Sequence, residues 1–260
     1  MLAPWRRREN LVIRDREGSA FLVPSLAEPI ALHLFADGVY ESDVAAFLQD
    51  HLRPDGVFVD VGANIGVFTL LAARRVGPAG KVIAVEASPR VFPYLEHNVR
   101  ANGLNNVSLK HSAASHQESP SVPFYDAPIG HFGMGALSPQ FNAQPTPVRA
   151  RKLDAILAEE KLGRVDLMKL DVEGFEADVF RGAPQLLAAE TPPLIIFEFL
   201  DWAEARMPNG KVGDAQRILR DCGYTLWRLD DFMKNRPPLT QVLTEGSAML
   251  VAARTKRPLA

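Results

Sequence analysis

Apolar residues along this chain recur in two rhythms that take turns. Short unbroken runs at 57–61, 81–86, 107–110, 165–170 and 194–198 have the length and β-branched content of buried strands. Between them lie stretches with helical spacing, at about 67–76, 89–102, 153–162, 175–181 and onward from Pro184. Strands alternating with helices predict a mostly parallel sheet, built from right-handed βαβ units with helices on both faces. Ser42 stands where it can cap a helix running to His51, which Pro54-Asp55-Gly56 stops. After a helix over 212–222, the runs 224–228 and 248–252 are joined by a loop rather than a helix. They predict an antiparallel pair at the sheet edge, bringing the sheet to seven strands in all.

Two segments break the alternation. The first 35 residues read as β or irregular, with Leu11 to Ile13 and Ala20 to Val23 flanking a hairpin turn at 15–18. We therefore divide the chain into an accessory segment, 1–37, that packs on the main domain, 38–260. From Ser115 to Pro147 the regularity fails, with prolines at 120, 123, 128, 139, 145 and 147 and glycines at 130, 133 and 135. That predicts a long loop or loose hairpin. A loop of this length in a compact domain is usually a lid or binding segment, so 115–147 is expected on the substrate side.

Composition narrows the function. The 260 residues, 47% hydrophobic, suffice for one full core. Acids number 31 and bases 29, so no whole-surface attraction to nucleic acid is expected. The single cysteine, Cys222, excludes an internal disulfide and a cysteine-based zinc site. No apolar run reaches membrane-spanning length, and none follows Arg6, Arg7 and Arg8, which read as a solvated terminus. A protein of the cytoplasm, without a membrane span, is the expectation.

The chemistry gathers at strand ends. Val57-Phe-Val-Asp-Val-Gly-Ala-Asn-Ile-Gly66 is a strand, a small-residue turn and a helix start, and Gly62, Ala63 and Gly66 admit a ligand close to the backbone. Glu86 ends the next strand, 24 residues after Gly62. An acid there accepts bonds from the hydroxyls of a ribose. The dinucleotide fingerprint fails, because Asn64 and Val67 replace its second and third glycines. Asp60 would repel a phosphate but welcome an ammonium, which favours S-adenosylmethionine over a nicotinamide cofactor. A second cluster, Lys169, Asp171 and Glu173, has the two-residue spacing that shares one face of a strand, and Glu198 ends the following strand. His131 lies in the glycine-bearing loop, placed to meet a substrate. The remaining histidines show no metal spacing, and Cys222 and the serines form no nucleophile elbow.

These motifs resemble those of the FkbM-type S-adenosylmethionine-dependent methyltransferases, which are class I enzymes with a Rossmann-like fold. The matching residues are Asp60 to Gly66, Gly80 to Glu86 and Leu167 to Glu176, with Gly38 to Glu41, Leu95 to Asn98 and Arg181 to Ala183 in support. The chain departs from the family at Glu86-Ala87-Ser88-Pro89, where Glu-Pro is common, and in the loose match of 129–137. The resemblance implies methyl transfer to oxygen, commonly a hydroxyl of a natural product or sugar. Glu41, Asp60, Gly62, Ala63, Asn64, Gly66, Glu86, Ala87, Ser112, Ala113 and Asp171 then become candidates for the cofactor. Asp171 or Glu173 is the candidate base, with Lys169 orienting it; Glu173 and Glu198 are candidates to face the substrate, and His131 joins them by its place in the loop and not through the resemblance. No metal is required, although the same carboxylates with Glu198 offer a divalent cation a place. The competing readings are N-methylation, nucleic acid methylation and a non-catalytic cofactor-binding protein of the same fold. Nucleic acid is disfavoured because Asp171-Val-Glu-Gly stands where a base-gripping Pro-Pro-aromatic turn is usual.

Overall fold

A computed structural model describes residues 9–254 apart from 129, 140, 142, 143 and 209, so Arg6, Arg7 and Arg8 lie outside the described residues. The chain opens with a hairpin of β1 (Glu9–Arg14) and β2 (Ala20–Ser25), followed by α1 (Pro29–Asp37) and α2 (Ser42–His51). The alternation then begins with β3 (Val57–Val61), α3 (Val67–Val76), β4 (Lys81–Glu86), α4 (Phe92–Ala101) and β5 (Val107–His111). A small sheet interrupts it: β6 (Ala113–Ala114), β7 (Ser119–Phe124) and β8 (Thr146–Arg151). The alternation resumes through α5 (Leu153–Glu159), β9 (Leu167–Leu170), α6 (Glu176–Arg181), α7 (Pro184–Ala188) and β10 (Leu194–Leu200). The chain closes with α8 (Asp201–Glu204), α9 (Asp214–Asp221), β11 (Thr225–Arg228), α10 (Leu229–Met233) and β12 (Ser247–Ala253).

The main sheet has seven strands in the order β11-β12-β10-β9-β3-β4-β5, parallel throughout except that β12 runs against both its neighbours. The predicted antiparallel pair is present, and the reversed strand is the inner of the two. Each buried strand sends alternate residues to opposite faces, as a pleat requires. Phe58, Val82, Leu194 and Ile196 pack on α2, α3 and α10. Val59, Ile83, Ile195 and Phe197 pack on α5, α6, α7 and α9. The chain winds outward from β3 to β5, then crosses back to place β9 on the other side of β3. Ligands bind at such a switch point, beyond the carboxyl ends of the strands. Among the described residues, no helix is long and apolar enough to cross a membrane.

Three expectations need correction. The first segment is not all β or irregular: Pro29–Asp37 is helical, starting with Pro29 at its first turn, where proline's missing N–H costs nothing. By contrast, the run 115–147 does hold a hairpin, β7–β8, one of the two forms expected for it, with Pro123 opposite Pro147. Prolines survive there because this small sheet leaves strand edges unpaired. The last two strands are joined through the short helix α10, not by loop alone. Ser42 begins α2 rather than capping it, and Glu41 precedes it in a left-handed conformation, φ 42°.

The N-terminal hairpin is held on α4 by polar as well as apolar contacts. Phe21 and Val23 pack on Leu95 and Val99. Asn98 Oδ1 accepts the Leu22 N–H at 2.7 Å and Asn102 Oδ1 the Ala20 N–H at 3.0 Å.

Candidate active site

The turn after β3 is shaped by residues that tolerate left-handed backbone: Gly62 (φ 76°), Asn64 (φ 51°) and Gly66 (φ 94°). Asn64 is the exception among glycines, and its side chain repays part of the strain by accepting the Ile65 N–H at 2.8 Å. Glu86, at the end of β4, accepts the Asn64 N–H and the Ser88 N–H, each at 2.8 Å. Burial raises its pKa, and these two bonds pull it back.

Two cavities open here and meet across Gly62 and Asn64. One, of about 150 Å³, is walled by Glu41, Ala63, Lys169, Asp171, Glu173 and Glu198, with His131 at the rim. The other, of about 60 Å³, is walled by Glu86, Ala87, Ser112 and Ala113, with Asp171 and Glu173 shared. The Ser112 hydroxyl, in a side chain 2% exposed, has no hydrogen-bond partner among the described residues. A small cavity lined largely by apolar residues, with an orphan hydroxyl and a carboxylate, fits a nucleoside.

Asp60 and Gly66 line neither cavity. Asp60 is fully buried and turned onto Thr69, whose hydroxyl donates to it at 2.6 Å; Lys169 Nζ is 3.9 Å away. Gly66 serves the backbone, with Leu95 Cδ1 2.8 Å from where its β-carbon would stand.

The carboxylate cluster forms at the ends of β9 and β10. Lys169, 2% exposed, donates to Asp171 Oδ2 at 3.2 Å and to the Gly62 carbonyl at 3.1 Å. Asp171, Asp60 and Glu41 keep its ammonium charged despite burial. Glu173 follows in a left-handed conformation, φ 54°, and its Oε2 has no hydrogen-bond partner among the described residues. Burial, then the charge of Asp171, pushes its pKa up to about 8. Glu198 is raised by the same two causes, with Glu173 adding to them. Strained backbone and displaced pKa values concentrate at working sites, which makes this cluster the candidate for the chemistry of the cleft.

Several wall residues escape sequence reading. Pro24, Glu28, Pro29 and Ile30 come from the N-terminal segment, and Tyr40, Phe132 and Met134 complete the larger cavity. No local pattern marks the four from the N-terminal segment, since their role depends on where the hairpin docks. Tyr40 lies within the Gly38 to Glu41 motif, and Phe132 and Met134 within the loop expected on the substrate side.

Comparison with known proteins places the chain among methyltransferases. AMB antimetabolite synthetase AmbE of Pseudomonas aeruginosa is 28% identical over 65% of this chain, which spans only 9% of that protein's length. Methyltransferase sdnD of Sordaria araneosa is 27% identical over 84% of this chain and 90% of its own length. Hexuronic acid methyltransferase AglP of Haloferax volcanii is 27% identical over 56% of this chain and 58% of its own. The family model described as "Methyltransferase FkbM domain" matches residues 60–226, from the end of β3 into β11, and the chain belongs to that methyltransferase family.

Proposed function

We propose that this protein transfers a methyl group from S-adenosylmethionine to a hydroxyl oxygen of a small molecule, natural product or saccharide. The observation that carries this reading is the convergence of Asp171, Glu173 and Glu198 in the wall of the larger cavity, the first two lining the smaller one as well. Relatives named as an antimetabolite synthetase and a hexuronic acid methyltransferase support the acceptor class.

When bound, the cofactor supplies a methyl group on a sulfonium that is open to in-line displacement. The turn from Gly62 to Asn64 receives its amino-acid part, Glu86 its ribose hydroxyls, and Ser112 and Ala113 flank the adenine. Asp60 acts from below, by holding Lys169 and Thr69. Segment 1–37 serves the domain 38–260 as an acceptor-side wall, and His131 stands at the rim. A hydroxyl is a poor nucleophile until its proton leaves, so a base is needed. Glu173 fits that role because its Oε2 is free, whereas Asp171 is engaged by Lys169. Glu173 Oε2 takes the hydroxyl proton as the oxygen–methyl bond forms.

One observation favours a second reading. Ligand atoms of Asp171, Glu173 and Glu198 lie within 4.8 Å of one another, a spacing that suits a divalent cation able to acidify the hydroxyl. Titration with S-adenosylhomocysteine in a calorimeter, beside NAD, tests the cofactor; labelled methyl transfer to a panel of sugars and hydroxylated small molecules tests the acceptor. Micromolar binding of S-adenosylhomocysteine alone supports the reading. Binding of NAD, or of neither, overturns it.

A further inference from the structure

Glu28 is a buried acid that its own helix does not use. It precedes α1 at the N-cap position, where a carboxylate ordinarily accepts N–H groups of the first turn, yet it makes no side-chain cap. Its side chain, in a residue 4% exposed, reaches across the cleft instead. Oε1 accepts the Gly130 N–H at 2.6 Å and Oε2 the Phe132 N–H at 2.9 Å, over separations of 102 and 104 residues. Charge-assisted bonds of this kind are the stronger class, and both oxygens are committed to one short segment.

That segment, 130–134, lies over the junction of the two cavities, and Phe132 and Gly133 line both. A β-carbon on Gly133 would stand 3.0 Å from Asn64 Nδ2, on the cofactor turn, and 3.9 Å from Ile30 Cδ1 on α1. On its far side, the Arg90 guanidinium covers the Phe132 ring at 4.6 Å, and the Tyr94 ring meets it edge-on at 6.4 Å. Arg90 also donates to the Ala127 carbonyl at 2.9 Å. The segment is therefore held at its rear by packing and at its front by Glu28.

We propose that Glu28 is a positioning residue that latches residues 130–134 across the cleft and so governs release of the cofactor product. The inference rests on the cofactor reading above. A ligand spanning both cavities passes beneath Phe132 and Gly133, so it leaves when the segment lifts, and lifting breaks both bonds to Glu28.

The test uses the full chain with Glu28→Gln and Glu28→Ala. Glu28→Gln keeps the shape but turns one acceptor into a donor facing an N–H, so it is expected to fall between wild type and Glu28→Ala. Hydrogen exchange at the Gly130 and Phe132 amides should quicken at least tenfold, with exchange in β3 and β4 unchanged. Dissociation of S-adenosylhomocysteine should quicken at least fivefold with little change in its association rate. A role confined to stability would lower Tm without that split. Wild-type exchange at both amides, or a wild-type dissociation rate, overturns the latch. If the wild-type protein binds no S-adenosylhomocysteine, the cofactor reading fails instead, and exchange in the ligand-free protein decides the latch alone. Should Glu28→Ala not fold, Glu28→Gln carries both measurements.

Discussion

The carbonyl oxygen of Asp171 stands 1.8 Å from the position a β-carbon would take on Gly62. The cofactor turn and the carboxylate cluster are thus in backbone contact. The Asp171 N–H donates to the Val61 carbonyl at 3.1 Å, and Lys169 bridges back to Gly62. Any side chain at 62 would push the turn away from the strand end that carries Asp171.

Gly62→Ala should therefore fail twice. Its φ of 76° costs an alanine about 1–2 kcal/mol, and the clash with backbone adds at least as much. Urea denaturation should show a loss of about 3 kcal/mol or more, with weakened S-adenosylhomocysteine binding. A loss below about 1 kcal/mol would mean that the turn moves freely.

Glu86 faces the smaller cavity with both oxygens already fixed by backbone N–H groups, so its lone pairs are oriented before a ligand arrives. Glu86→Ala should weaken S-adenosylhomocysteine by at least about tenfold, close to 1.4 kcal/mol. An unchanged calorimetric affinity removes Glu86 from the ribose site.

Asp171→Asn and Glu173→Gln should lower kcat far more than they change cofactor affinity. With the Glu173 carboxyl raised to about 8, kcat should climb with pH across that value, since the base works deprotonated. Glu173→Gln should abolish the climb. Full activity in both variants refutes a carboxylate base.

Dialysis against a chelator should leave methyl transfer intact if Glu173 acts as a simple base. Loss of activity, with recovery on added magnesium, would instead make Asp171, Glu173 and Glu198 the ligands of a cation.

Stability should fall as pH rises from about 5 to 8. Glu173 is raised to about 8, and Glu176 and Glu204 to about 7, in each case chiefly by burial, from an ordinary value of 4.5. Between those limits the folded chain keeps protons that the unfolded chain has released, so raising the pH favours unfolding. Tm measured across this range should decline, and Glu176→Gln should flatten the decline. A Tm that rises toward pH 8 would contradict these shifts.

What the sequence determined by itself is what neighbouring residues decide. The runs around 57–61 and 81–86 had to be buried strands, and Gly62 to Gly66 had to be a tight turn. Glu86 and Asp171 had to stand at strand ends, because a pleat and a strand length settle where a residue points. The family resemblance was legible for the same reason, since its motifs are short and contiguous. Tertiary structure decided the rest. Asp60 sits in the same motif as Gly62, yet it turned down onto Thr69 and Lys169, out of both cavities, because the burial of Lys169 demanded a countercharge. Residues 29–37 have local helix signals in Pro29 and Gly38, but that this helix walls the cleft follows from where the preceding hairpin docks on α4. Glu28 carries no cue to its partners, for those lie more than a hundred residues along the chain. Local periodicity records which face of an element is apolar; it does not record which distant backbone N–H will lie within reach once the faces have packed.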